Sequence, residues 1–242
     1  FNAQEFGLIR KSGISLNLAQ SFPKRYVVIG DIHGDLEGLQ QDLRDAGLVD
    51  LAGFWIGGET VLIQMGDIID RGEQSLETYQ YLSELRQKAR AANGNVKILL
   101  GNHEYMFFLG MSQDSKRFAT WIENLPRGEF KNILLETIKS KGIGEARRMI
   151  LTGESGEFVK WKKLYAALSE DIRKGEIQAA FEEAGVLFIH GGITAKNKIG
   201  ANAKDAADFL NQQLAVKNFE GIRDVLWNSF GYEVNGEGVN YL

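Results

Sequence analysis

The chain has 242 residues, of which 44% are hydrophobic and 25% are charged, and these are ordinary values for a globular protein. Its formal net charge of -4 gives no sign of the basic surface that binds nucleic acid. No apolar run approaches the roughly 20 residues needed to span a membrane. Because cysteine is absent, disulfides, thiolate nucleophiles and sulfur-ligated metals are excluded.

The start of the sequence carries no recognisable targeting signal. The first residue is Phe1 and not methionine, so we expect that the N-terminus has been cut. With no signal peptide in view, we expect a cytoplasmic protein, while secretion or delivery to a host stays open. No pattern indicates an oligomeric state.

Short β-branched runs alternate with amphipathic segments over the first hundred residues. This order favours a largely parallel sheet with helices on its faces. The predicted elements are strands at 26–29, 61–65 and 96–100, a hairpin over 54–61, and helices at 8–18, 36–46 and from 76 to about 91.

A long stretch that reads mostly as helix separates the third strand from a fourth strand at 186–189. A connection this long is normally functional or a subdomain. We therefore expect a helical insert at 112–184 over the carboxyl end of the sheet, as a lid or as a wall that selects substrates. The predicted helices are 118–125, 130–139, 158–168, 172–183 and, after the fourth strand, 203–216 with Phe209 and Leu210 on its inner face.

Polar side chains follow each of the four strands, and all three histidines of the chain are among them. Ligands bind beyond the carboxyl ends of strands in α/β sheets, so chemistry is expected at these turns. The residues are Asp31 and His33 after the first strand, Asp67, Asp70 and Arg71 after the second, Asn102 and His103 after the third, and His190 after the fourth.

Nitrogen and oxygen donors without sulfur suit divalent ions such as manganese, iron or zinc. A carboxylate like that of Asp67 can bridge two ions about 3.5–4 Å apart, and such a pair lowers the pKa of a bound water toward about 7. The guanidinium of Arg71 can bind two phosphoryl oxygens through its planar fork. This set of residues therefore indicates a metal-dependent attack of water on a phosphate ester.

Each of these residues also has an ordinary structural explanation. A strand-end histidine is more often a satisfied structural residue than a ligand. Asn102 suits a turn, Arg71 a surface ion pair, and Asp67 or Asp70 the cap of a helix. Four such coincidences, each at a strand end, would have to occur together, and we therefore favour the metal site.

Four motifs in the order GDIHGD, GDIIDRG, GNHE and HGG resemble those of the calcineurin-like metallophosphoesterases. DRG together with GNHE is similar to the phosphoprotein phosphatase (PPP) family, in a bacterial-type member. The resemblance covers residues 26 to about 110 and 186–193. It implies an α/β fold, a β-sandwich flanked by helices. Residues 1–242 would then form one metallophosphoesterase domain, which is interrupted by the helical insert. We expect this domain to be truncated at its N-terminus and incomplete at its C-terminus.

The resemblance also implies roles and two divalent cofactor ions, manganese first and iron or zinc as alternatives. His103 would be the general acid, and Asp70 would orient it. Arg71 and Asn102 would contact the phosphate. The implied metal ligands are Asp31 and His33 on the first ion, Asp67 as the bridge, and Asn102 and His190 on the second ion.

Two departures from the family pattern concern the second ion and the phosphate. The family has a further ligand histidine after HGG, whereas no histidine follows His190 here. The family also has a second phosphate-binding arginine, often soon after a Leu-Trp pair. Here Leu226-Trp227 precedes Asn228, and the nearest arginine is Arg223. We expect the segment with the missing histidine to lie outside this sequence, because residues 236–242 show neither a helix stop nor the character of a tail.

Three functions stay open at this stage. The first is hydrolysis of phosphate monoesters on phosphoproteins, at serine/threonine or tyrosine, by a hydroxide bound to the two metals. The second is hydrolysis of small phosphoesters such as dinucleoside polyphosphates, and the third is a catalytically dead module that binds phosphopeptides. The expected partner is a phosphoprotein or phosphopeptide, with neither nucleic acid nor a membrane.

Overall fold

The computed structural model describes residues 25–112, 114–154, 156–193 and 199–227. The predicted helix at 8–18 and the chain end at 236–242 lie outside these residues. The described strands are β1 (Tyr26–Ile29), β2 (Val61–Gln64), β3 (Asn95–Leu99), β4 (Ile177–Gln178), β5 (Ala180–Glu183) and β6 (Val186–Ile189). The described helices are α1 (Leu36–Asp45), α2 (Ser75–Ala91), α3 (Asn102–Met111), α4 (Ser115–Asn124), α5 (Glu129–Lys141), α6 (Ile143–Thr152), α7 (Glu157–Arg173), α8 (Ala203–Ala215) and α9 (Glu220–Trp227).

Two small sheets form the centre of the fold. The first has four parallel strands in the order β1-β2-β3-β4, and the second pairs β5 with β6 in antiparallel fashion. Because β1, β2 and β3 are parallel neighbours, their carboxyl ends, and the polar turns after them, meet at one edge.

The alternation of side chains along β2 shows how the two sheets pack. Leu62 belongs to the main core beneath the helices, whereas Val61 and Ile63 join Leu99 and Phe181 in a smaller cluster between the sheets. Successive side chains on a strand point to opposite faces, so one strand serves both cores. The α/β fold with two sheets and flanking helices is therefore confirmed.

The predicted first three strands and the helices α1, α2 and α8 are confirmed to within a few residues. Phe209 was expected on the inner face of α8 but is 36% exposed, whereas Leu210 is fully buried. The predicted hairpin over 54–61 is wrong. Trp55 forms its isolated bridge with Val49, and only a turn closed by the Thr60 N–H on the Gly57 carbonyl remains.

The predicted helix at 172–183 is also wrong. Gly175 takes a left-handed φ of 70° just after α7 ends, and the chain then continues as β4 and β5. Glu176 is held by Arg86 and Arg90 of α2, which fixes this segment beside β3. The predicted fourth strand at 186–189 is β6, but it pairs with β5 and not with the parallel sheet.

Helices α3, α4 and α7 carry a cluster of buried rings that includes Phe107, Phe118, Trp121 and Trp161. The sequence patterns indicated α4, α5 and α7 but not α3 or α6. The division into a main domain and an insert at 112–184 stays a prediction. Among the described helices, none has the length and apolar character required to traverse a bilayer.

Candidate metal centre

The turns after β1, β2, β3 and β6 bring their polar side chains together around Asp67. Its Oδ2 atom lies 3.8 Å from His33 Nε2, 3.5 Å from His190 Nε2 and 3.9 Å from His103 Nε2. Two groups of donors, His33-Asp67-His103 and Asp31-Asp67-His190, each have their ligating atoms within 4.8 Å of one another. Asp67 is common to both groups, as a bridging carboxylate would be.

Glu104 holds the turn that carries Asp67. Its Oε1 accepts hydrogen bonds from the backbone N–H groups of Ile68 and Ile69 at 2.8 and 3.2 Å, and its Oε2 accepts from Asp67 and Gly101 at 2.9 Å. Glu104 is the third residue of α3 and is buried, so one carboxylate fastens the turn after β2 to the start of that helix.

Backbone contact between the turns is equally close. A Cβ atom on Gly101 would lie 2.2 Å from Asp67 N, and one on Gly66 would lie 2.6 Å from Gly101 Cα. Gln64 adds to this by donating to the Gly66 carbonyl at 2.6 Å and the Gly30 carbonyl at 3.2 Å. The polar side chains are thus placed by packed main chain.

Four of the candidate residues have a left-handed backbone, which side chains other than glycine rarely adopt. Their φ angles are 51° for His33, 55° for Asp67, 71° for Asp70 and 60° for Arg71. Such conformations cost about 1–3 kcal/mol each and persist where the surrounding structure enforces them. The Arg71 N–H, for example, donates to the Asn124 carbonyl at the end of α4.

The first candidate ion position is beside His33 Nε2, which has one carboxylate oxygen of Asp31 and one of Asp67 within 4 Å. His33 Nδ1 donates to the Ile69 carbonyl at 3.0 Å, which leaves Nε2 without a proton in the neutral ring. That Nε2 is buried and has no hydrogen-bond partner, and it lies 3.7 Å from Asp31 Oδ2. Burial and the nearby positive groups of His103 and Arg71 also lower the pKa of His33. A neutral imidazole beside two carboxylates is a fitting donor set for a divalent ion.

The second candidate position lies between Asp67, Asn102 and His190. His190 Nδ1 donates to the Met65 carbonyl at 2.8 Å, so the neutral ring turns a lone pair toward Asn102 Oδ1, 2.9 Å from Nε2. Two acceptors at this distance repel unless a proton or a metal cation lies between them. Two donors at right angles on one ion, each bound at about 2.1 Å, are about 3.0 Å apart, so the pair fits a shared ion.

Burial raises the pKa of the Asp67 carboxyl to about 6, and the charge of Glu104 adds to that effect. His190 and His103 oppose it, and the His103 backbone N–H donates to Asp67 Oδ1 at 2.9 Å. A buried carboxylate of this kind needs positive partners, and a divalent ion would provide one.

His103 and Asp70 form a buried pair next to these positions. His103 Nδ1 donates to Asp70 Oδ2 at 2.8 Å, while Trp121 Nε1 donates to Asp70 Oδ1 at 2.9 Å. Burial alone would lower the pKa of His103, but the hydrogen bond and charge of Asp70 outweigh it and raise that pKa. Burial raises the pKa of Asp70 to about 6, against the hydrogen bonds from His103 and Trp121.

Arg71 lies on the open side of the site. Its backbone is held, its side chain is exposed, and its Nη2 lies 3.4 Å from His103 Nε2. Guanidinium and imidazole therefore face the same space. Arg223, the nearest arginine to the Leu226-Trp227 pair, instead binds Glu220 and Asp224 on α9.

The structure thus gathers all eight candidate residues, but sequence reasoning gave no role to three neighbours, Gln64, Glu104 and Trp121. Two of them carried a signal. Glu104 is an acidic residue at the third position of a helix, the usual capping place, and Gln64 is a polar residue that ends an apolar strand. Nothing in the sequence connects Trp121 to Asp70.

Comparisons with known proteins found similar chains among protein phosphatases. The chain is 43% identical to Shewanella-like protein phosphatase 2 of Arabidopsis thaliana over 84 residues, which are 35% of this chain and 22% of that protein. It is 38% identical to Shewanella-like protein phosphatase 1 of Plasmodium berghei (strain Anka) over 86 residues, which are 36% of this chain and 24% of that protein. The aligned stretch is therefore less than a quarter of either relative.

A solved structure and a family model cover more of the chain. The cold-active protein-tyrosine phosphatase of a psychrophile Shewanella sp. superposes with a TM-score of 0.56 at 23% identity, over 89% of this chain and 60% of that one. This likeness concerns the fold. The family model for calcineurin-like phosphoesterases matches residues 24–235. With nearly the whole chain matched and the motif side chains gathered beyond the ends of β1, β2, β3 and β6, the protein belongs to the calcineurin-like phosphoesterase family.

Proposed function

We propose that this chain carries the catalytic centre of a phosphatase that removes phosphate from phosphoprotein side chains with two divalent ions, manganese being the first choice. One observation carries the proposal. Asp67 Oδ2 lies within 4 Å of the Nε2 atoms of His33, His190 and His103, and His103 is bound to Asp70 behind it.

The residues fit ions at both positions, because the buried His33 Nε2 offers a lone pair without a hydrogen-bond partner and His190 Nε2 faces Asn102 Oδ1. Asp31 and His33 would hold the first ion, Asn102 and His190 the second, and Asp67 both. When bound, such ions supply Lewis acidity toward phosphoryl oxygens and activate water as the nucleophile.

His103 would donate the proton to the leaving oxygen from Nε2. Asp70 fixes Nδ1 as the hydrogen-bonded nitrogen, so Nε2 faces the open side beside Asp67. The hydrogen bond and the charge of Asp70 raise the pKa of His103, which is the direction that favours the protonated ring that a general acid requires.

Arg71 would bind phosphoryl oxygens on the same side. Its guanidinium is exposed and 3.4 Å from the His103 nitrogen that would donate the proton. A planar fork of donors there would orient the ester, so that its leaving oxygen faces His103. Asn102 would add a polar contact to the phosphate.

The protein substrate is supported by the names of the relatives, two of which are called protein phosphatases. The preference for serine/threonine or tyrosine and the cytoplasmic location stay predictions.

Metal analysis together with a substrate panel tests the proposal. After manganese loading, the chain should bind two ions and hydrolyse phosphoserine, phosphothreonine or phosphotyrosine peptides faster than dinucleoside polyphosphates. Preference for the nucleotides would indicate the small-ester hydrolase instead. Two bound ions without turnover of any ester would contradict catalysis.

A further inference from the structure

Helix α4 contacts the strained turn of Asp70 and Arg71 at two points. The Trp121 indole N–H donates to Asp70 Oδ1 at 2.9 Å, and the Asn124 carbonyl accepts from the Arg71 N–H at 2.9 Å. This helix lies within the segment expected to be an insert, for which the family motifs supply no role.

The Trp121 ring is itself held in place. It is fully buried, with ring centroids 4.9 Å from Phe107, 5.5 Å from Phe118 and 5.1 Å from Trp161. The indole N–H of Trp121 is directed out of this ring cluster onto the Asp70 carboxylate, which is fully buried as well.

The two oxygens of Asp70 have different partners. Oδ2 accepts from His103 Nδ1, whereas Oδ1 accepts from Trp121 Nε1. The Ser75 hydroxyl accepts from the Asp70 N–H at 3.1 Å and so holds the main chain. Within the described residues, Trp121 is the side chain that fixes the rotation of the carboxylate plane from the side opposite His103.

We propose that Trp121 is a positioning residue, which orients Asp70 and through it aims His103 Nε2 at the leaving oxygen. The catalytic part of this inference rests on the phosphatase function proposed above. By this proposal, helix α4 contributes to catalysis through Trp121 as well as to the packing of the core.

Trp121→Phe tests the inference because it keeps an aromatic ring and removes the donor. Replacement of Trp121 by β-(3-benzothienyl)alanine, in which sulfur takes the place of the N–H, tests it with almost no change in shape. Trp161→Phe is the matched control, since it removes an indole from the same ring cluster without a bond to Asp70.

Both changes at Trp121 should lower kcat on phenyl phosphate about 10-fold at unchanged KM and metal content. The loss should be smaller on an aryl phosphate with an acidic leaving group, which needs less help from a general acid. In an Asp70→Asn background, Trp121→Phe should cost little more, because both act through one pathway. Trp161→Phe should retain wild-type kcat on both esters.

A second readout needs no turnover. In the metal-free full chain, the hydrogen-bonded Nδ1 proton of His103 should give a downfield NMR resonance that is lost in His103→Asn. The resonance should shift or broaden when Trp121 loses its donor and should stay in Trp161→Phe.

Equal kcat losses for Trp121→Phe and Trp161→Phe, or a loss independent of the leaving group, would overturn the inference. An unchanged Nδ1 resonance in the benzothienyl variant would overturn it too. If the wild-type chain hydrolyses no ester, the phosphatase proposal fails, and the resonance alone then decides whether Trp121 orients the pair.

Discussion

At the scale of single residues, the position of His103 suits two different roles, metal ligand and general acid. Its Nε2 lies 3.9 Å from Asp67 Oδ2, which suits a metal ligand, while its Nδ1 is bonded to Asp70, which suits a general acid. His103→Asn should lower kcat about 100-fold or more, because asparagine cannot deliver the proton. Two ions should still bind, as measured by elemental analysis. A loss of metal that equals the loss of activity would assign His103 as a ligand.

Asp67 is shared by both candidate ion positions. Asp67→Asn keeps the size of the side chain but removes the charge that two ions would share, so metal content should fall at both positions and activity with it. Asp45→Asn, at the exposed end of α1, is the matched control for a lost carboxylate and should bind metal normally. Two fully occupied ions in Asp67→Asn would rule out the bridge.

At the scale of elements, Glu104 joins the start of α3 to the turn after β2 by accepting four backbone N–H groups. In Glu104→Gln, an amide NH₂ would face two of those donors, so two hydrogen bonds are lost inside the core. The free energy of unfolding should fall by about 3 kcal/mol. Urea denaturation measures the change.

The control for this prediction is Glu84→Gln on the exposed side of α2, which should unfold like the wild type. Metal affinity should fall in Glu104→Gln as well, because Asp67 and Gly101 share the same carboxylate oxygen. A stable variant with normal metal binding would show that the turn is fixed by its glycines alone.

At the scale of the whole molecule, Arg90 and Glu176 connect α2 to the strand segment after α7. The bridge is bidentate, at 2.9 and 2.6 Å, and its hydrogen bond with Arg90 lowers the pKa of Glu176. A carboxyl whose pKa is lower in the folded state stabilises the protein above its unfolded pKa and loses that contribution as pH falls.

Glu176→Gln should therefore reduce the free energy of unfolding by about 1 kcal/mol at pH 7. The gap to the wild type should close as the pH is lowered through the acid range below the usual glutamate pKa. Urea melts at several pH values test this. Glu170→Gln, which breaks an exposed pair with Arg173, should have a smaller effect at pH 7 because solvent screens that pair. A gap that is independent of pH would contradict the role of the charge.

The same scale shows what the sequence could predict. Strands β1 and β3 and helices α1 and α2 have clear periods and glycine or proline boundaries, so local patterns place them. β4 has two residues and is too short to show a period. It forms a strand because Arg86 of α2 binds the neighbouring Glu176 and holds this segment beside β3. The local pattern therefore predicts a separate helix over 172–183.

The candidate site divides in the same way. The grouping of the polar residues after β1, β2 and β3 could be predicted because a parallel sheet gathers such strand ends at one edge. His190 follows β6 of the second sheet, so its place beside them depends on how the two sheets pack. The contact between Trp121 and Asp70 spans 51 positions along the chain and depends on how α4 packs, which no local pattern encodes. Glu104 could be predicted only in part. Its capping position in α3 can be recognised from the local sequence, but three of the four backbone N–H groups that it binds are far away in the sequence.

The left-handed backbone at Arg71 has one last consequence, for selection. Arg71 is exposed, and glycine in its place would relieve about 1 kcal/mol of strain. A library of this chain screened only for survival at high temperature would enrich that glycine, and the survivors would have lost the guanidinium that we propose binds the phosphate. Thermal stability therefore favours glycine at position 71, whereas turnover favours arginine. Substitutions that stabilise the protein without loss of activity must be sought at other positions.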